Sequence, residues 1–253
     1  MTKHLADIAA EGVLIAGGAR AILLQVANPA VGRGVARHSD FASGPMQRLR
    51  STLTYVYLLV YGSEGEFRRS TRLVNHAHTD VHGSGYTAFD PQLQLWVAAT
   101  LYDTAISIYE TVFGVLEPEE AEAIYREYAI IGAGLQMPRE LWPADRAAFR
   151  QYWDQEVAQL HVDEESRHVA LDLLQPGRVP LWLKASMPLA RLVTAGLLTA
   201  EQRAMYDLPW SDRRQRRFER TLRVIAGVYP HLPKRLRHWP KNHYLRAFRA
   251  DRG

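Results

Sequence analysis

Apolar side chains recur at intervals of three and four along most of the chain, the spacing of one face of an α-helix. Ser43-Gly44-Pro45 opens one such run, with Leu49, Leu53, Val56 and Val60 in register and Gly62 closing it. Ser63 and Glu66 have capping-box spacing for the next helix, whose stripe reads Phe67, Thr71, Val74, His78 and Val81 and which Gly83 is expected to end. Asp90-Pro91 caps and starts a long helix through Trp96, Thr100, Asp103 and Ile108 to Gly114. Glu117-Pro118-Glu119-Glu120 begins another, with acids where the helix dipole favours them. The pattern predicts further helices over 144–160, 163–174, 179–197, 199–206 and 211–229. Sustained alternation, Asn-Gly or Asp-Gly turns and βαβ spacing are all missing, and connections are short. The expectation is an all-α fold, a single globular helical domain over 1–253, with Gln175–Pro180 read as a turn within it.

Composition narrows the chemistry. The chain of 253 residues is 47% hydrophobic and has no cysteine, which removes disulfides, zinc–thiolate and iron–sulfur sites, thiolate-ligated haem and cysteine nucleophiles. The formal charge of +4 comes almost wholly from arginine, with a cluster at Arg213, Arg214, Arg216, Arg217, Arg220 and Arg223, then Lys234, Arg235 and Arg237. Such a run suits nucleic acid or an anionic lipid surface, but its ordinary form is a solvated helix face laced with salt bridges, so no nucleic-acid partner is expected. The first 25 residues carry Asp7, Glu11 and Arg20 and do not read as a signal peptide. The longest apolar stretch, Ala185–Leu198, is too short at ~1.5 Å per residue to cross a ~30 Å hydrocarbon core. The expected location is the cytoplasm. That stretch, with small Ala195 and Gly196, reads as core, with a substrate channel or a homodimer seam as the alternatives; Leu189 is taken as one of its core residues.

Among residues able to carry chemistry, His78 stands out because its spacing puts it on the apolar stripe. A stripe histidine is commonly a core group donating to a carbonyl; it is also what a metal or haem ligand looks like, and the residues alone leave both open. His82, one turn on, completes only a two-ligand His-x3-His pair, and His76 points to the other face. Arg48 and Thr52 share a face of the preceding helix, with Ser51 and Tyr55 adjacent, so Arg48 is read either as a bidentate partner of a cofactor carboxylate or, the commoner fate of a helical arginine, as one half of a surface ion pair. Glu165 and His168 have the Glu-x-x-His spacing of di-iron bundles, but that site needs two such motifs and only one is present. Phosphate-binding glycine loops and a Gly-x-Ser-x-Gly elbow are missing.

Several segments, in order and spacing, resemble the family that contains rubber oxygenase (latex-clearing protein) and the fungal oxygenase MpaB. They are Gly17-Gly-Ala-Arg20 through Gln25 and Asn28-Pro29, His38-Ser39-Asp40-Phe41, Arg48 through Thr52, and His78 through Gly83. Asp90-Pro91 through Trp96, Thr100 and Asp103, then Phe149 through Trp153, then Leu197 through Ser211 complete the set. The resemblance implies a helical fold with a globin-like core and a b-type haem whose iron is held by the residue matching His78. It implies that Arg48 engages a haem propionate and that Thr52 hydrogen-bonds within the pocket. Where rubber oxygenases carry a lysine just before that threonine, this chain has Ser51; where many relatives have histidine, it has Asn28 and Ala98; and the glutamate proposed as a base in rubber cleavage has no match.

The resulting expectation is a haem b-dependent oxygenase using dioxygen on a small or medium apolar substrate, isoprenoid-like or aromatic. The catalytic pair would be Arg48 and Thr52, the metal ligand His78, and the cofactor contacts His78, Arg48, Thr52 and Ser51. The alternatives are a non-haem or cofactor-free member of the family, or a haem-binding sensor or carrier without turnover.

Overall fold

A computed structural model describes residues 2–38, 45–177 and 179–251, apart from the side chains of Pro45, Met46 and Arg48. The described helices are, in order, α1 (Leu5–Ala9), α2 (Gly18–Val26), α3 (Pro29–His38), α4 (Pro45–Tyr61), α5 (Glu64–His78), α6 (Pro91–Phe113) and α7 (Pro118–Ala133). They continue with α8 (Arg146–Ala158), α9 (Glu164–Leu174), α10 (Leu181–Gly196), α11 (Ala200–Met205), α12 (Asp212–Val228), α13 (Lys234–Arg237) and α14 (Trp239–Ala250). The fold is all-α. Helices expected after residue 62 appear within a few residues of their expected bounds, and capping explains most of them. Asp90 Oδ1 accepts from the Gln92 and Leu93 amides, and Asp145, Asp163, Thr199 and Ser211 cap their helices in the same way. Ser43 and Gly44 of the expected α4 start lie outside the described residues.

α6 is the axis. It is buried on most of its circumference, as a helix must be when α2, α7, α12 and the 3₁₀ segment Gly12–Gly17 all pack on it. Gly17 allows one of these contacts, since a Cβ there would lie 2.3 Å from Ile108 Cδ1 and 2.5 Å from Thr104 Cγ2. At the C-terminal half of α6, Tyr102 sits edge-on to Tyr125, Tyr128, Trp142 and Phe149, with ring centroids 4.9–6.0 Å away.

Polar groups lock α2 onto α6. Arg20, 7% exposed, donates from Nη2 to Asp103 Oδ2 at 2.8 Å, from Nη1 to Thr104 Oγ1 at 2.7 Å, and from Nε to the Leu197 carbonyl at 3.0 Å. Three helices thus meet at one guanidinium. One turn along, Gln25 Nε2 donates to Thr100 Oγ1 at 3.0 Å, and Trp96 Nε1 donates to the Leu24 carbonyl at 3.1 Å.

The structure departs from the sequence expectations in three places. α5 stops at His78, not Gly83, with Thr79 as C-cap; residues 82–83 and 86–87 pair instead as a short antiparallel hairpin, β1 (His82–Gly83) with β2 (Tyr86–Thr87), turned by Gly85 at φ +79°. The turn dipeptide is Ser84-Gly85, a signal outweighed in the sequence by the helical stripe through Val81. Leu189 is 48% exposed, because α10 buries Met187, Leu192, Val193, Thr194 and Ala195 instead. Gly196, by contrast, packs as the core reading expects: a Cβ there would sit 2.3 Å from the Phe218 ring, so the glycine brings α10 onto α12. Finally, α1 to α3, α13 and α14 are present although the periodicity did not call for them, since they are short or broken by glycine and proline. Among the described residues no single helix is long and apolar enough to cross a membrane.

Two stability outcomes follow. Asp103→Ala leaves Arg20 buried without its carboxylate and should cost about 3–5 kcal/mol in denaturant unfolding, whereas the double change Arg20→Met/Asp103→Leu should recover part of it. Leu189→Asp should alter stability by no more than about 0.5 kcal/mol, while Leu192→Asp, on the buried side of the same helix, should prevent folding or cost about 3 kcal/mol or more.

Candidate functional site

The site is built from the outside of the bundle inward. Ser63 Oγ accepts from the Glu66 amide at 3.4 Å, and Glu66 Oε2 accepts from the Ser63 amide at 2.9 Å, the capping box expected of α5. The same carboxylate, buried at 4% exposure, receives Arg249 of α14 through Nε at 2.9 Å and Nη2 at 3.3 Å. Leu245 of α14 closes on Tyr57 and Leu58 of α4. The α4–α5 hairpin is therefore clamped by the C-terminal helix.

α4 and α5 are joined by the tight turn at Gly62–Ser63 and pack against each other. Arg48, Ser51 and Thr52 lie in the first half of α4, at the end away from that turn. The side chain of Arg48 lies outside the described residues. Ser51 and Thr52 are exposed, and the Ser51 hydroxyl donates to the Gln47 carbonyl of its own helix at 2.9 Å.

His78 ends α5, where the carbonyl end of the helix dipole favours positive charge. It is half-buried, not fully buried: the stripe Phe67, Thr71, Val74 and His78 is only partly covered, and the buried positions of α5 are Glu66 and Ser70. Its Nδ1 atom is nonetheless out of solvent, and Phe89 meets the imidazole edge-on, with centroids 6.5 Å apart at 81°. The loop that delivers Phe89 is held by backbone bonds from the Val81 amide to the His78 carbonyl at 3.0 Å and from the Ala88 amide to the Val81 carbonyl at 2.9 Å. It is anchored further by Gln94 Nε2 on the Ala88 carbonyl and by Tyr86, whose hydroxyl meets His38 Nε2 at 3.1 Å.

Thr71, Asn75 and His78 step by four and three, so they share one face of α5. Thr71 Oγ1 and Asn75 Oδ1 are buried, and neither has a hydrogen-bond partner among the described residues. Each such orphan costs about 1–3 kcal/mol, and folded proteins keep few of them. Asn75 was missed by the hydrophobic pattern because an asparagine in a stripe reads as noise; its spacing from Thr71 and His78 is the signal that would have found it.

Other candidates resolve differently. His82 is exposed on β1 and is not one helical turn from His78, and His76 is exposed. Glu165 pairs with Arg37 at 2.7 Å, and His168 Nδ1 lies 2.9 Å from the Glu164 carbonyl, so Glu-x-x-His serves helix termini. No cluster of three His, Asp or Glu able to hold a metal ion exists among the described residues. Asn28 caps α3, its Oδ1 accepting from the Ala30 amide at 3.0 Å, and Ala98 is fully buried in the core.

Against known proteins, the family model described as ER-bound oxygenase mpaB/B'/rubber oxygenase, catalytic domain, matches residues 6–227, and the chain belongs to that family. Uncharacterized proteins of Mycobacterium tuberculosis and Mycobacterium bovis are each 36% identical over 224 residues, covering 83% of this chain and 88% of theirs. No solved structure matches.

An orphaned hydroxyl predicts a sign. Thr71→Val, which removes the buried oxygen and keeps the shape, should raise the stability of the ligand-free protein by about 1 kcal/mol in chemical denaturation; a loss of similar size would mean that the hydroxyl is satisfied.

Proposed function

We propose that this member of an oxygenase family is a haem b-dependent oxygenase, a single domain over 1–253 acting with dioxygen on a small or medium apolar substrate in the cytoplasm. The observation that supports it most is the face of α5 on which His78 lies beside the orphaned Thr71 and Asn75 oxygens. The donor set also favours haem over a non-haem ion. A mononuclear non-haem iron takes three protein ligands, and among the described residues no such trio converges; a haem brings four nitrogens and asks for one imidazole.

In this account His78 would hold the iron through one imidazole nitrogen, and Arg48 would pair with a propionate carboxylate. Bound there, the haem would supply the activation of dioxygen for oxidation of the substrate. The chain's own contribution would be position. Phe89 meets the His78 ring edge-on, Val74 and Phe67 make this stripe of α5 apolar, and the Thr52 hydroxyl would hydrogen-bond within the site.

The test is the visible spectrum of protein produced with haem supplied. An intense Soret band is expected, shifted or lost in His78→Ala, with Arg48→Ala weakening haem affinity roughly tenfold to a hundredfold while the protein stays folded. A folded, colourless wild type that ignores added haem contradicts the proposal. Substrate-dependent oxygen uptake by the coloured protein then separates an oxygenase from a carrier.

A further inference from the structure

One end of the molecule exposes apolar side chains among cations and no carboxylates. The first half of α10 is exposed on almost every residue, with Leu181 84%, Trp182 64% and Leu189 48% accessible. α10 runs antiparallel to α12, since Gly196 meets Phe218 while Val193 lies with Leu222 and Ile225. The exposed start of α10 therefore points the same way as the end of α12. There Val224, Val228, Leu236 and Trp239 are 55–62% accessible, on the stretch running from α12 through α13 to the start of α14. Lone exposed hydrophobics are ordinary, but a group this size on one end is not.

The charge pattern selects what covers it. Residues 173–200 and 220–250 contain neither Asp nor Glu, yet they hold Lys184, Arg191, Arg220, Arg223, Lys234 and Arg235, among other basic residues. The salt bridges expected to lace the arginine cluster are not found for Arg213 through Arg223 among the described residues. The carboxylate of Glu11, which reaches this end from the N-terminus, is buried and already paired with Arg237 at 2.9 Å. Beside Trp239, a groove of about 390 Å³ is lined by Arg235, Asn242, Arg246 and Arg249; Arg249 is already paired with Glu66, and Arg235 and Arg246 offer charge to a phosphate.

We propose that this end is a docking surface for an anionic lipid bilayer, with Leu181 and Trp182 entering the headgroup boundary and the surrounding lysines and arginines meeting lipid phosphates. An exposed tryptophan beside leucine on an otherwise cationic face is the side-chain set of an interfacial helix, and an apolar surface also distinguishes this from nucleic-acid binding, which needs charge without the hydrophobic edge. The surface is independent of the haem assignment, so either can fail alone.

Flotation of the full chain with vesicles tests it, comparing phosphatidylcholine alone with a phosphatidylcholine–phosphatidylglycerol mixture. Binding is expected to the mixture and to fall with added salt. Leu181→Glu/Trp182→Glu should abolish it, and Lys234→Gln/Arg235→Gln should weaken it roughly fivefold per charge. Both variants change exposed residues, and an unchanged helical circular dichroism spectrum verifies that each has folded. Absence of flotation with the mixture at low salt overturns the proposal. So does flotation unchanged by Leu181→Glu/Trp182→Glu with equal affinity for duplex DNA, or a dimer that Trp182→Glu splits and that never engages vesicles.

Discussion

The guanidinium of Arg20, enclosed with the Asp103 carboxylate, is the constraint around which the bundle is arranged. A charge this deeply buried is tolerated only when it is paired and hydrogen-bonded, and Arg20, carried by α2, takes its partners from α6 and from the residue that follows α10. Gly17 must then be small for the 3₁₀ segment to lie on α6, and Gln25, Thr100 and Trp96 must pair along the same seam. Two of the segments that carry the family resemblance, Gly17 through Gln25 and Asp90 through Asp103, lie on this seam, and a third reaches it at Leu197. These segments mark the frame, while Arg48 through Thr52 and His78 through Gly83 lie elsewhere.

The candidate site lies away from that frame, on a hairpin of two helices held from outside. α4 and α5 are fastened by Arg249 on Glu66 and by Leu245 on Tyr57 and Leu58, contacts made by a helix that begins after the last residue matched by the family model. Orphaned oxygens at Thr71 and Asn75 are affordable there because the ion pair and aromatic cluster elsewhere supply the stability. His78 stands at the end of α5, with Phe89 edge-on to its ring.

Helices with strong caps and long stripes were legible: Ser63/Glu66, Asp90-Pro91 and Asp163 each start the helix they announce. What failed was what depends on tertiary contact. Gly83 does not end α5 because the residues beyond His78 fold back on α3 and α6 as a hairpin, and Leu189 is exposed because proline-containing α10 leans on α12 with its other side. Spacing read His78 as buried and the structure has it half-buried; Asn75 was passed over, since a half-buried amide whose oxygen lacks a partner breaks the apolar pattern by which stripes are recognised. The small helices at each end were invisible because their order comes from long-range pairs such as Glu11–Arg237.

Amide hydrogen exchange of the full chain, with and without haem, tests the division between frame and site most directly. Residues 18–26 and 91–113 should be strongly protected in both conditions, while protection over 45–61 and 64–78 rises on haem addition and does so less in His78→Ala. Protection appearing at some other part of the bundle, or unchanged throughout while haem is bound, would contradict the account.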